Sequence, residues 1–159
     1  MTSLAFVDVD GVLSAPRFKD HEGNMVVGFP QEEWLSYCQE KGEASYEDCS
    51  PIPGVSEYLW KLKWEGARLF VLTSSSLEIE TKAKKVYVEE HFPNLFDEIY
   101  AVEHDAEKVP FIVEMADREE VPLGECLLLE DTYNTVLAAH ERGIAGVHIS
   151  NILAGNVTR

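Results

Sequence analysis

Short apolar runs that stop abruptly at polar residues alternate along this chain with stretches in which apolar residues recur every three or four positions. The first run, residues 4–13, reads Leu-Ala-Phe-Val-Asp-Val-Asp-Gly-Val-Leu. Its apolar half has the continuity of a parallel strand buried on both faces, which delivers Asp8 and Asp10 to its C-terminal edge, and Gly11 turns the chain there. Further runs lie at 67–72, ending in Thr73-Ser74-Ser75-Ser76, at 97–102, at 126–129, ending in Glu130-Asp131, and at 147–149. Between them the period changes to that of helices. Val55, Tyr58, Leu59 and Leu62 form a stripe within 55–65 that Gly66 ends, and 77–91 is a helix closed by Pro93 whose Lys82, Lys84 and Lys85 read as a solvated face. Val109, Ile112, Val113 and Ala116 make a third stripe, with Lys108 at its start and Pro110 in its first turn, and 132–143 makes a fourth. The tail from Asn151 is expected to fray, and the sequon from Asn156 to Thr158 is a chance match.

Strands alternating with helices predict an α/β fold, a Rossmann-like parallel five-stranded sheet flanked by helices, with all strand C-terminal ends along one edge. Asp8, Asp10, Thr73, Glu130 and Asp131 are expected to meet there, which is where open α/β sheets bind ligands. The length suits one domain, 1–159. The exception to the alternation is 14–50, an acidic stretch with scattered aromatics. It is expected to hold a short strand at 25–29 and a helix at 31–41 burying Trp34, Leu35 and Cys38, and to form a small flap or cap over the carboxylates without a core of its own. Arg17, Lys19 and His21 in this insert are candidates either to meet a substrate's leaving group or to serve as solvated surface residues. Trp60 and Trp64 fall on the side of their helix away from the apolar stripe, so they call for a cover, first the insert and second another copy of the chain in a homodimer.

Charge narrows the partners. With 13 basic against 29 acidic residues the formal charge is −16, which repels nucleic acid and anionic membrane surfaces. Three cysteines without a C-x-x-C spacing suggest neither a disulfide framework nor a zinc site. A strand beginning near Met1, with no long apolar segment, is read as cytosolic.

Crowded carboxylates raise one another's pKa and call for a compensating cation; oxygen donors favour Mg2+. Lys108 and the Thr73 hydroxyl would neutralise further phosphate oxygens, and Ser74 with the amides of the following helix offers an anion site. Phosphoryl transfer needs this combination, with a small phosphorylated metabolite as the substrate class that suits a partly covered site.

Asp8-Val-Asp10-Gly-Val, then Thr73, Lys108 and Glu130-Asp131, in that order, resemble the motifs of the haloacid dehalogenase-like superfamily. The resemblance implies that Asp8 is the nucleophile forming an aspartyl-phosphate and Asp10 the acid and base that also offers its backbone carbonyl to Mg2+. It implies that Thr73 and Lys108 hold the phosphoryl group, and that Asp131 with Glu130 completes the metal shell. An aspartate at position 10 points to a phosphatase or phosphomutase. The Glu-Asp pair is similar to that of β-phosphoglucomutase and its sugar-phosphatase relatives, whose caps are larger than 14–50. The expected function is a Mg2+-dependent phosphatase. The alternatives are a mutase or sugar-phosphate phosphotransferase of the same fold and a non-catalytic phospho-ligand-binding scaffold. A receiver-type signalling domain is disfavoured, because Asp97 begins a strand where such a domain needs an aspartate at a strand end.

Overall fold

The computed structural model describes residues 1–157, with side chains to residue 153. Strands β1 (Leu4–Val7), β4 (Arg68–Ser74), β5 (Glu98–Val102), β6 (Cys126–Glu130) and β7 (Ala145–His148) form a five-stranded sheet, parallel throughout, of order β5-β4-β1-β6-β7. The chain runs outward from β1 through β4 to β5, returns beside β1 as β6, and continues to β7. Central β1 therefore lies where the strand order reverses, and the ends of β4 and β6 flank the segment that carries Asp8 and Asp10.

Because side chains alternate along a strand, each central strand feeds two cores. Ala5, Val7, Leu69, Val71, Leu127 and Leu129 face α2 (Val55–Trp64), α3 (Glu78–His91) and α6 (Ile149–Val157). Leu4, Phe6, Phe70, Leu72, Cys126 and Leu128 face α4 (Lys108–Arg118) and α5 (Tyr133–Glu141). Phe6 is fully enclosed and stacks on Phe70 with ring centroids 5.4 Å apart, so truncating it to alanine costs about 3–5 kcal/mol. The fold expected from the alternating runs is the one observed.

The insert contains the expected strand, shortened to β3 (Met25–Val26) and pairing antiparallel with β2 (Phe18–Lys19), and the expected helix, α1 (Gln31–Lys41). Without a core of its own, it shares that of the sheet. Phe18, Tyr37, Cys38, Tyr46 and Cys49 are buried in the same cluster as Val7 and Leu59, and Phe18 meets Trp34, Tyr37 and Tyr46 edge-on. Aromatic rings supplied the apolar area that its few aliphatic residues lacked.

Two expectations fail elsewhere. The tail does not fray at Asn151: α6 begins at Ile149, and Ile149 and Ile152 bury themselves in the core beside α2. The Trp60 and Trp64 rings lie tilted against each other at 6.0 Å, with Trp60 partly buried against the core, but Trp64 is 81% exposed and the insert does not cover it. The last residue of the sequon, Thr158, lies outside the described residues. Among the described residues, no helix is long and apolar enough to cross a membrane.

Candidate active site

Asp8 follows β1 directly and is buried, its amide donating to the Leu129 carbonyl at 3.1 Å. Like Phe6, it points to the α4 side of the sheet. Lys108, the first residue of α4 and 1% exposed, meets it there with Nζ 3.1 Å from Asp8 Oδ1 and 2.8 Å from Glu130 Oε2. Carboxylate oxygens of Asp8, Glu130 and Asp131 lie within 4.8 Å of one another. Burial pushes the Asp8 carboxyl above its ordinary value, against the pull of Lys108. Glu130 is pushed up to about 9, by burial first and then by the charge of Asp8. Burial works to lower the Lys108 ammonium, yet Asp8, Glu130 and Asp105 together outweigh it and hold the group above its usual value.

This cluster fits a hard divalent cation. Its donors are oxygens, and the burial and Asp8 charge that raise the Glu130 carboxyl are opposed by positive charge placed there. Gly11 is shaped around it. At φ +78° a Cβ on Gly11 would lie 2.1 Å from Asp131 Oδ2, so only glycine lets Asp131 lean into the site. Glu130 makes contacts of its own, Oε2 accepting from Lys108 and Oε1 from the Asp131 amide at 3.1 Å. The Asp131 carbonyl accepts from His148 Nε2 at 2.9 Å.

Asp10 turns away from this group. Tyr46, buried in the insert, donates its hydroxyl to Asp10 Oδ1 at 2.7 Å, and Lys84 Nζ lies 3.2 Å from Oδ2. The Asp10 side chain remains 44% exposed and reachable. Burial, and then the charge of Asp10, keeps the Tyr46 hydroxyl protonated well beyond the usual tyrosine range. Lys84 is the clearest departure from the solvated face expected on α3. It is fully enclosed, and its ammonium donates to Thr73 Oγ1 at 2.9 Å, to the Ser74 carbonyl at 2.6 Å and to Ser75 Oγ at 3.3 Å.

Thr73 and Ser74 point to opposite faces of β4. Thr73 meets Lys84, whereas Ser74 donates to Asp105 Oδ1 at 2.7 Å, and Asp105 in turn lies 3.4 Å from Lys108 Nζ. The Asp105 carboxyl is held below its usual value, because the Ser74 hydroxyl and Lys108 outweigh the opposing effect of burial. Two of the amides between β4 and α3 are engaged within the chain. Ser75 donates to the Val102 carbonyl, and Ser76 donates to Glu80 Oε2 at 2.8 Å, so a carboxylate of the chain fills that position.

A parallel α/β sheet with an acidic, lysine-braced cluster at its C-terminal edge defines a class, and comparison with known proteins supplies the family. The model for haloacid dehalogenase-like hydrolases matches residues 18–149, a span that includes Thr73, Lys108, Glu130 and Asp131 and begins beyond Asp10. The chain belongs to that family. CbbY from Rhodobacter sphaeroides, solved with phosphate, superimposes with a TM-score of 0.59 at 19% identity, covering 92% of this chain and 86% of that one. A haloacid dehalogenase-like hydrolase from Streptococcus pneumoniae gives 0.56 at 18% identity, covering 91% and 83%. These likenesses are of fold. A Bacillus cereus protein named "putative nucleotidase" is 33% identical over 73 residues, a match spanning 46% of this chain and 39% of that protein.

Proposed function

We propose that the chain is a Mg2+-dependent phosphatase that hydrolyses phosphate monoesters through an aspartyl-phosphate on Asp8. The observation that carries this reading is a buried Asp8 with Lys108 Nζ at 3.1 Å on one side and Glu130 and Asp131 close by. Asp8, Glu130, Asp131 and the Asp10 backbone carbonyl would hold the metal. Bound there, Mg2+ supplies positive charge that lets the anionic carboxylate approach an anionic phosphate.

A carboxylate oxygen of Asp8 attacks phosphorus, and the bond to the ester oxygen breaks with its electron pair on the leaving alkoxide. Asp10, reachable and held by Tyr46 and Lys84, delivers a proton to that oxygen and releases the alcohol. The resulting Asp10 carboxylate takes a proton from water, whose oxygen attacks phosphorus and returns phosphate and free Asp8. Lys108, beside Asp8, would neutralise the phosphoryl oxygens, while Lys84 holds Asp10 and Thr73 in place. Ser74, tied to Asp105, braces Lys108.

A small phosphorylated metabolite is the proposed substrate class. The partial match to a protein named as a nucleotidase places nucleoside monophosphates on the panel to test. Turnover of phosphomonoesters with and without Mg2+ tests the reading. Release of phosphate only with the metal is expected, and indifference to chelation would contradict it.

A further inference from the structure

Between the insert and the sheet edge lies a cavity of about 240 Å³ that has Asp10 in its wall. Phe18, Phe29 and Trp34 supply aromatic surface, and Val27, 81% exposed, stands in the lining. The charged groups in the wall are Asp10 and Glu80, both carboxylates; among the described residues lining it there is no lysine, arginine or histidine. Lys84 touches Asp10 but is fully enclosed, with its ammonium spent on Asp10, Thr73, Ser74 and Ser75. The insert's own cations are elsewhere. Lys19, His21 and Lys41 line a neighbouring cavity that shares only Phe29 with this one, and Arg17 lines neither.

We infer that this cavity receives the alcohol portion of the substrate, and that it selects an uncharged alcohol with an apolar face against one carrying a carboxylate or a second phosphate. The inference rests on the phosphatase reading in one respect, that the ester oxygen sits at Asp10. The rest follows from the wall. An anionic group there would face two carboxylates across an aromatic lining with no cation to meet it, whereas a ring or hydrocarbon face would gain contact with Phe18, Phe29 and Trp34. The wall is also fixed in place, which makes its charge a persistent property. Trp34 Nε1 donates to Glu80, and Gln31 Nε2 donates to Ser76 Oγ at 3.0 Å, so α1 is tied to the start of α3.

Non-hydrolysable phosphonates test the cavity without requiring turnover. Benzylphosphonate and 4-carboxybenzylphosphonate differ by one carboxylate, and their affinities for the Mg2+-saturated full chain are read by calorimetry. Benzylphosphonate is expected to bind at least tenfold more tightly. Gln31→Lys, at an exposed position in the lining, should shrink or invert that ratio by bringing a cation to the wall. Equal affinities, tighter binding of the carboxylated compound, binding of neither, or a ratio that Gln31→Lys leaves unmoved would overturn the inference. In parallel, phenyl phosphate and 4-carboxyphenyl phosphate are assayed for hydrolysis. If the phosphonates discriminate while no ester is hydrolysed, the cavity's selectivity stands and the phosphatase reading fails.

Discussion

Replacing Gly11 with alanine separates the acidic cluster's role as a metal site from its contribution to the fold. Two costs are expected. The backbone cost arises because alanine at φ +78° sits in the left-handed region, worth about 1–2 kcal/mol. The steric cost falls on the site, since the new Cβ lies 2.1 Å from Asp131 Oδ2 and 2.7 Å from its Cγ. Ordinary contact requires the carboxylate to retreat by roughly 1 Å or more. Metal–ligand distances tolerate about 0.2 Å, so Asp131 is lost as a ligand. Gly143 is the control, because it has φ +80° and a Cβ added there would meet no atom within 4 Å, so Gly143→Ala carries the backbone cost alone. At Mg2+ a hundredfold above Kd, linkage stabilises the native protein by about 2.7 kcal/mol, or ~5–11 °C in Tm for a chain of this size. If Gly11→Ala weakens binding a hundredfold, the same Mg2+ gives about 0.4 kcal/mol, or ~1 °C. Calorimetric melts of wild type, Gly11→Ala and Gly143→Ala, each with Mg2+ and with chelator, read these shifts. Both variants should melt lower than wild type in chelator, and only Gly11→Ala should lose the Mg2+ shift. A full shift in Gly11→Ala would refute the assignment of Asp131 to the metal.

Lys84→Met removes the donor shared by Asp10 and Thr73 and is expected to lower kcat about a hundredfold or more, whereas Lys82→Met, exposed beside Glu78, should change stability by less than about 0.5 kcal/mol; equal kinetics in the two variants would contradict the placement of Lys84 in the site. Without metal, Glu130 has a folded pKa of about 9 against an ordinary 4.5, so its contribution to stability is complete below pH 4.5 and is lost as pH rises toward 9. Chelator-treated protein should therefore melt lower at pH 8.5 than at pH 6, with a limiting slope of roughly 1.4 kcal/mol per pH unit for one proton, and saturating Mg2+ should flatten this dependence; melting temperatures that rise with pH in chelator would contradict it. A homodimer that covers Trp64 should dissociate in Trp64→Lys, which light scattering detects as a halved mass; a wild-type monomer would remove that proposal.

The sheet and the gathering of Asp8, Glu130 and Asp131 at its edge were legible because each depends on local pattern. Asp8, Thr73 and the Glu130-Asp131 pair are carried by the ends of apolar runs, and parallel topology brings such ends together. Lys84 left a signal that the reading of a solvated lysine face passed over. Glu80, Ala83, Lys84, Tyr87 and Val88 are spaced as one helical stripe and are all buried, so two charged residues interrupt a core-facing surface. Both have partners from distant segments, Asp10 and Thr73 for Lys84 and Trp34 for Glu80. Tyr46 had no comparable local mark, because its contact with Asp10 is made by folding the insert back across the sheet edge. The docking of the insert and the helix from Ile149 were hidden for the same reason, since their burial is supplied by residues far away in the chain.

Trapping the phosphorylated enzyme tests the central claim most directly. Protein quenched during turnover of a phosphomonoester with Mg2+ is treated with tritiated borohydride, which reduces an aspartyl-phosphate, and the label is mapped by peptide. Label at Asp8 is expected, disappearing along with turnover in Asp8→Asn. Label at another residue, or Mg2+-dependent hydrolysis that persists in Asp8→Asn, would contradict the account.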